Sequence, residues 1–167
     1  KLGLDYALDS EVVFFDKSET IRGSRFHMMP EISAPLNLNG IEITPAISMD
    51  LTKYNLHNSN DNNHSSSTVS PERAVPIYSL DLTGVFQKTW KNGSYLQTLE
   101  PRILGVYIPY RNQDDFPIFD TIVPDMNLIQ MFRKNRYLGQ DRLGDTSQIT
   151  YGITTKVFAA NKASPLF

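Results

Sequence analysis

Apolar and polar side chains take turns along stretches far longer than an ordinary strand, and nothing else in the sequence constrains the fold so tightly. From Ile41 the odd positions are Ile41, Ile43, Pro45, Ile47, Met49 and Leu51, while the even positions are Glu42, Thr44, Ala46, Ser48, Asp50 and Thr52. Successive residues of a strand point to opposite faces, so this stretch has one apolar and one polar face, over about twice the usual 5–6 residues of a globular strand. Further on, Tyr78, Leu80, Leu82, Gly84, Phe86 and Trp90 oppose Ile77, Ser79, Asp81, Thr83, Val85, Gln87 and Thr89. Phe26, Met28, Ile32, Ala34 and Leu36 oppose Arg25, His27, Met29, Glu31 and Ser33, and Ile149, Tyr151, Ile153 and Val157 oppose Thr150, Gly152, Thr154 and Lys156. Leu2 to Phe15 and Tyr95 to Tyr110 read as less regular strands, Glu100 and Arg102 sharing a face with Leu104 and Val106. The expectation is an all-β, antiparallel, up-and-down sheet of about six long strands.

The connections alternate in length. Asn37-Leu38-Asn39-Gly40 and Lys91-Asn92-Gly93-Ser94 carry the Asn-Gly pair that supplies positive φ to tight hairpins. At the opposite end lie Lys17 to Gly23 and two long loops, residues 55–74 and 112–146. Short turns at one end and long loops at the other are the pattern of an outer-membrane barrel, and a soluble sandwich has no reason for it. Residues 55–74 are rich in Asn, Ser and His, so weak order is expected there. In the other loop Asp125 is expected to cap one short helix that puts Leu128, Met131 and Phe132 on one face, with basic residues at its C-terminal end. Pro30, Pro35, Pro45, Pro76, Pro101 and Pro109 each remove a ladder donor, so some strands must bulge, bend or lose a partner locally.

Composition narrows the alternatives. The 167 residues carry 16 basic and 18 acidic side chains, which leaves a nucleic-acid partner without its usual electrostatic driving force. No cysteine is present, so thiol chemistry and disulfides are excluded within this stretch. No run approaches the roughly 18 apolar residues of a spanning helix, whereas a spanning β-strand needs only about 9–11 alternating ones. The sequence opens Lys1-Leu2-Gly3-Leu4-Asp5, which reads as an excised piece. His27, His57 and His64 have no partners at spacings that support a triad or a metal site, so no catalysis, cofactor or metal is expected.

Several ordered motifs carry a family resemblance. They are Leu99-Glu100-Pro101-Arg102, Pro109-Tyr110-Arg111-Asn112-Gln113, Phe119-Asp120-Thr121, Phe132-Arg133, Asn135-Arg136-Tyr137 and Gly139-Gln140-Asp141-Arg142. Together they resemble the barrel domain of LptD, the lipopolysaccharide-assembly family of the Gram-negative outer membrane, most firmly over residues 97–152. The resemblance implies a very large antiparallel barrel with an LptE-type lipoprotein as a plug in its lumen, and insertion of lipopolysaccharide without chemistry on it. The smallest single-chain barrels have about eight strands, so this chain reads as an interior arc, residues 1–167 forming a partial barrel domain.

On that reading the apolar faces meet lipid, with Tyr78 and Trp90 as candidates for the two interfacial girdles. Glu42, Asp50, Asp81, Thr83, Glu100 and Arg102 are the candidate lumen-facing residues. Arg133, Lys134, Arg136 and Arg142 are candidate contacts for lipopolysaccharide phosphates, although pairing with Asp120, Asp125, Asp141 and Asp145 is the favoured reading of that cluster. Alternation by itself also fits a soluble β-rich binding module with one solvated face. Two unpaired edges are expected to make an isolated arc self-associate.

Overall fold

The structure is a computed structural model that describes residues 3–16, 21–58 and 67–159. In chain order the elements are β1 (Asp5–Asp16), β2 (Ile21–Ser33), β3 (Leu36–Leu38), β4 (Ile41–Asn58), β5 (Ser67–Val69), β6 (Glu72–Gly84), β7 (Phe86–Trp90), β8 (Tyr95–Ile108), α1 (Leu128–Met131) and β9 (Thr146–Ala159). Every pairing is antiparallel.

These segments form six lines of strand. β2 and β3 meet β4 in one unbroken register, as Ile32↔Ile47 and Leu36↔Ile43 show, and Pro35 interrupts the ladder between them without shifting it. β5 continues into β6 against β4, and β6 into β7 against β8, again without a slip. The result is an antiparallel meander of six strands curved into a half-barrel.

Prolines cost local pairing, as their missing donors require. The β2–β4 ladder skips Met29 and Pro30, and the β6–β8 ladder begins at Tyr78↔Tyr107, beyond Pro76. At the tight end, Asn39 and Gly40 both have positive φ between the paired Leu38 and Ile41, the geometry of a two-residue primed turn. The second turn holds Lys91, Asn92 and Gly93 at positive φ.

Three loop expectations need correction. Ile21 to Gly23 belong to β2 and not to a connection from Lys17 to Gly23, and Asn55 to Asn58, Ser67 to Val69 and Glu72 to Ala74 are strand and not part of a loop from 55 to 74. Their polar composition does not prevent pairing, because a neighbouring strand already supplies the template. Residues 59–66, His64 and Leu2 lie outside the described residues. The helix cap is Asn127, whose side chain accepts from the Gln130 amide, and not Asp125. An N-cap must sit within three residues of the amide it serves, and Asp125 lies too far upstream.

The register sorts side chains onto two faces. One carries Ile41, Ile43, Ile47, Leu80, Leu82, Ile103 and Tyr151 and is bare; Ile47, Leu80 and Ile103, all in central strands, are 41–44% exposed. The other is covered by residues 109–145 folding back over it. There Val75, Ile77, Leu104, Val106, Ile108 and Leu143 form one buried cluster, with Met29 and Phe132 against it. Tyr54, Leu56 and Phe116 form a second, with Phe119 against it.

Candidate functional site

The covered face carries charged side chains beside its apolar cluster, so a loop can lie on it only if the charges it buries are matched. Arg25 of β2, 1% exposed, meets three carboxylates. Its Nη2 donates to Glu11 at 2.7 Å and to Asp120 Oδ2 at 2.6 Å, and its Nη1 donates to Asp120 Oδ1 at 2.9 Å and to Asp141. The guanidinium also lies over the Phe15 ring, 5.3 Å from its centroid. One planar fork thus ties β1, β2 and two points of the loop together, a geometry lysine does not offer.

Asp141 is the counterpart on the loop side, and it is fully buried. One carboxylate oxygen accepts from Arg25 and from the Tyr54 hydroxyl. The other accepts from the amides of Phe119 and Asp120, each at 2.7 Å, and of Thr121 at 3.3 Å. Burial pushes this carboxyl upward, but the Tyr54 and backbone hydrogen bonds to its charged form outweigh it and hold its pKa down to about 2. Gly139 closes the turn beside it at φ +80°, and a Cβ there would stand 2.6 Å from the Asp120 carbonyl oxygen.

A second cluster adjoins the first. Arg73 of β6 donates to Asp50 at 2.8 Å, to Thr52 and Gln140 O at 3.0 Å each, to Asp141 O at 3.0 Å and to Gln113 Oε1 at 2.7 Å. His27 Nε2 lies 3.3 Å from Asp50. Gln113 relays the contact, accepting from the Leu143 amide at 3.0 Å and donating to the Leu143 carbonyl at 2.8 Å. The arrangement immobilises 109–145 on the sheet; among the described residues no group of His, Asp and Glu could hold a metal ion.

The register sets all six strand candidates on the covered face, in different surroundings. Asp50 is buried under the loop. Asp81 takes two hydrogen bonds from Arg102, the shorter at 2.6 Å, and Arg102 also lies over Phe132 at 4.8 Å. Glu100 pairs with Lys156 at 2.7 Å and not with Arg102. Glu42 is exposed, accepting from Thr44 at 3.3 Å, and Thr83 is half-buried between Glu42 and Arg102.

Among the described residues, the loop cations do not pair with Asp120, Asp125, Asp141 or Asp145 as favoured from sequence. Lys134 reaches Glu31 at 2.6 Å, Arg142 donates to the Gln113 carbonyl, and Arg136 donates to the Tyr137 hydroxyl at 2.7 Å. Arg133 is exposed. Arg25 takes Asp120 and Asp141 instead, because it presents both of its terminal nitrogens to them from the sheet. Sequence reasoning missed Arg25, Arg73, His27, Tyr54 and Gln113. The available signal was the placing of Arg25 and His27 on the polar side of an alternating strand.

A family model described as LPS transport system D matches residues 1–166. The LPS-assembly protein LptD of Coxiella burnetii is 37% identical over 171 residues, covering 98% of this chain and 19% of the relative. That of Aromatoleum aromaticum is 38% identical over 159 residues, covering 93% and 20%, and that of Nitrosococcus oceani is 36% identical over 171 residues, covering 99% and 22%. The chain spans about a fifth of the length of the curated relatives it matches.

Proposed function

The chain belongs to the LptD family, and from that premise we propose that it is an interior arc of the barrel wall through which lipopolysaccharide is assembled into the Gram-negative outer membrane. The observation that carries the reading is the bare apolar face on strands whose opposite face holds Arg25, Asp50, Arg73, Asp81, Glu100 and Arg102. Water would penalise such a face, and bilayer hydrocarbon would not. Tyr78 and Trp90 stand twelve residues apart along one strand line on that face. At about 3.4 Å per residue they are about 40 Å apart, which a strand tilt of about 40° reduces to about 30 Å across the membrane. That separation suits two aromatic girdles, and Tyr107 and Tyr95 join them, with ring centroids 6.2 Å from Tyr78 and 5.2 Å from Trp90 respectively.

The covered face then lines the lumen, with the long loop at the extracellular end. Glu42, Asp81, Thr83, Glu100 and Arg102 lie where an LptE-type plug or a passing saccharide would meet the wall, whereas Asp50 anchors the loop. Of the loop cations, Arg133 and Arg136 are exposed and suit lipopolysaccharide phosphates; Lys134 and Arg142 are engaged within the chain. The reading assigns no catalytic step.

Cysteine substitutions in the full-length protein in membranes test it. Positions 41, 43, 47 and 49 are expected to react with lipid-soluble reagent only, and 42, 44 and 46 with water-soluble reagent. Equal reactivity of neighbours would sink the membrane reading.

An isolated arc leaves one side of β1 and one side of β9 without a partner strand among the described residues. Such edges template further pairing. The excised chain in buffer without detergent is expected to scatter light as oligomers, and a monodisperse monomer at high concentration would refute this.

A further inference from the structure

Near the loop end of the bare face, the strands do not present a flat wall. Met28, Leu51 and the small Ala74 stand in one row across β2, β4 and β6, and with Phe26 they line a groove of about 400 Å³. The presence of Arg111 at its edge has a cause in the sequence. β6 and β8 pair only as far as Tyr78↔Tyr107. Two residues further the same register would set Pro109 against Pro76, and neither can donate a hydrogen bond. The chain leaves the ladder there, and Arg111 comes to the groove's mouth beside Ala74.

Lys53, directly across the ladder from Phe26, borders the same groove. Its ammonium lies 3.6 Å from Glu72, but both side chains are well over half exposed, so the pair is weak and leaves the nitrogen open to another anion. Arg111 is exposed and, among the described residues, has no carboxylate partner. Arg73 also borders the groove, with its charge already committed to Asp50. The site is therefore an apolar slot topped by two available cations and one carboxylate, at the end of the bare face where lipid headgroups would lie.

We propose that this groove seats one lipopolysaccharide molecule on the outside of the barrel, an acyl chain lying along Phe26, Met28, Leu51 and Ala74 and a phosphate between Lys53 and Arg111. The inference rests on the reading that these strands cross the outer membrane with the long loop outward, because that orientation turns the groove's mouth to the leaflet in which a phosphorylated glycolipid is the anionic component. Arg111 grips phosphate as a fork, Lys53 as a point charge. Basic residues that merely reach toward headgroups would be indifferent to the slot beneath them. A seated lipid depends on both.

That dual dependence makes the test. The full-length protein is reconstituted in phosphatidylcholine nanodiscs containing lipopolysaccharide, extracted into detergent, and examined for retained lipid by native mass spectrometry. Wild type is expected to retain lipopolysaccharide. Lys53→Gln with Arg111→Gln, and separately Ala74→Trp, which fills the slot and keeps both charges, should each lower retention more than tenfold. Arg22→Gln removes a cation that pairs with Asp16 at 2.8 Å outside the groove, and it should retain the lipid. Wild-type retention in either groove variant, or equal loss in Arg22→Gln, would overturn the site. Retention of phosphatidylglycerol at the level of lipopolysaccharide, in discs holding it instead, would overturn the assignment to the glycolipid. Labelling at 42 and 43 in the same proteins separates the two levels. Alternating labels without retained lipid refute the groove alone, and lost alternation refutes the membrane reading beneath it.

Discussion

Replacing Asp141 by alanine is expected to release residues 109–145 from the sheet, at a cost of about 3–5 kcal/mol, the range for breaking a buried ion pair by removing one partner. The size follows from what is orphaned. Arg25 loses one of its three carboxylates, the buried Tyr54 hydroxyl loses its acceptor, and the partly buried amides of Phe119, Asp120 and Thr121 lose theirs. Asparagine should be nearly as damaging despite its shape. All five groups facing Asp141 are donors, and an amide presents its own NH2 to some of them. Limited proteolysis of the full-length protein reads the result, with faster cleavage between 109 and 145 in both variants and unchanged cleavage elsewhere. Variants cut no faster than wild type would show that the loop is held by Phe116, Phe119 and Leu143 alone. The same residue sets an acid limit. Its folded pKa lies below the ordinary 3.8, at about 2. Its contribution is therefore complete above about pH 4 and is lost as pH falls toward 2. Pepsin cleavage of the loop should rise across that interval in wild type and stay flat in Asp141→Ala.

The second large effect separates two neighbours in one strand. Leu82 faces the bare side between Ile43 and Ile103, and Thr83 faces the covered side between Glu42 and Arg102. Both lie near the midpoint between Tyr78 and Trp90. Leu82→Arg should cost about 2–4 kcal/mol, the value for arginine on the lipid side at the bilayer midplane. That is roughly a thirtyfold to several-hundredfold loss in the folded-to-unfolded ratio. Thr83→Arg enters a polar, half-exposed setting and should cost well under 1 kcal/mol. Heat-modifiable mobility of the full-length protein from outer membranes gives the assembled fraction. Equal losses from the two substitutions would contradict a lipid-facing wall.

What was legible in the sequence was whatever depends on near neighbours. Period-two alternation gave the strands because a face is defined by residues i and i+2, and Asn39-Gly40 gave a turn because only a few residues accept its dihedral angles. Family motifs marked residues 97–152 and included Asp120 and Asp141, but without their purpose. The end of β4 reads as loop because Asn and His have little strand preference of their own, and β5 because it is only three residues long and adjoins an Asn- and Ser-rich stretch. The clamp itself was illegible for a different reason. Arg25 reaches Asp120 and Asp141 across 95 and 116 positions, a juxtaposition that exists only once the register is fixed. The loop cations lie close in sequence to acids, yet proximity along a chain is a poor guide where an arginine on the sheet presents two terminal nitrogens to the same acids.

The fork at Arg25 also makes the loop a gauge of strand alignment. Side chains alternate sides, so a slip of β2 by one position would turn Arg25 outward into oil and bring Ser24 or Phe26 beneath Asp141. Neither could satisfy that carboxylate, and the loop would find no berth. Only a correctly aligned wall can be capped, so an exposed stretch around residue 120 is the signature of a mis-threaded arc.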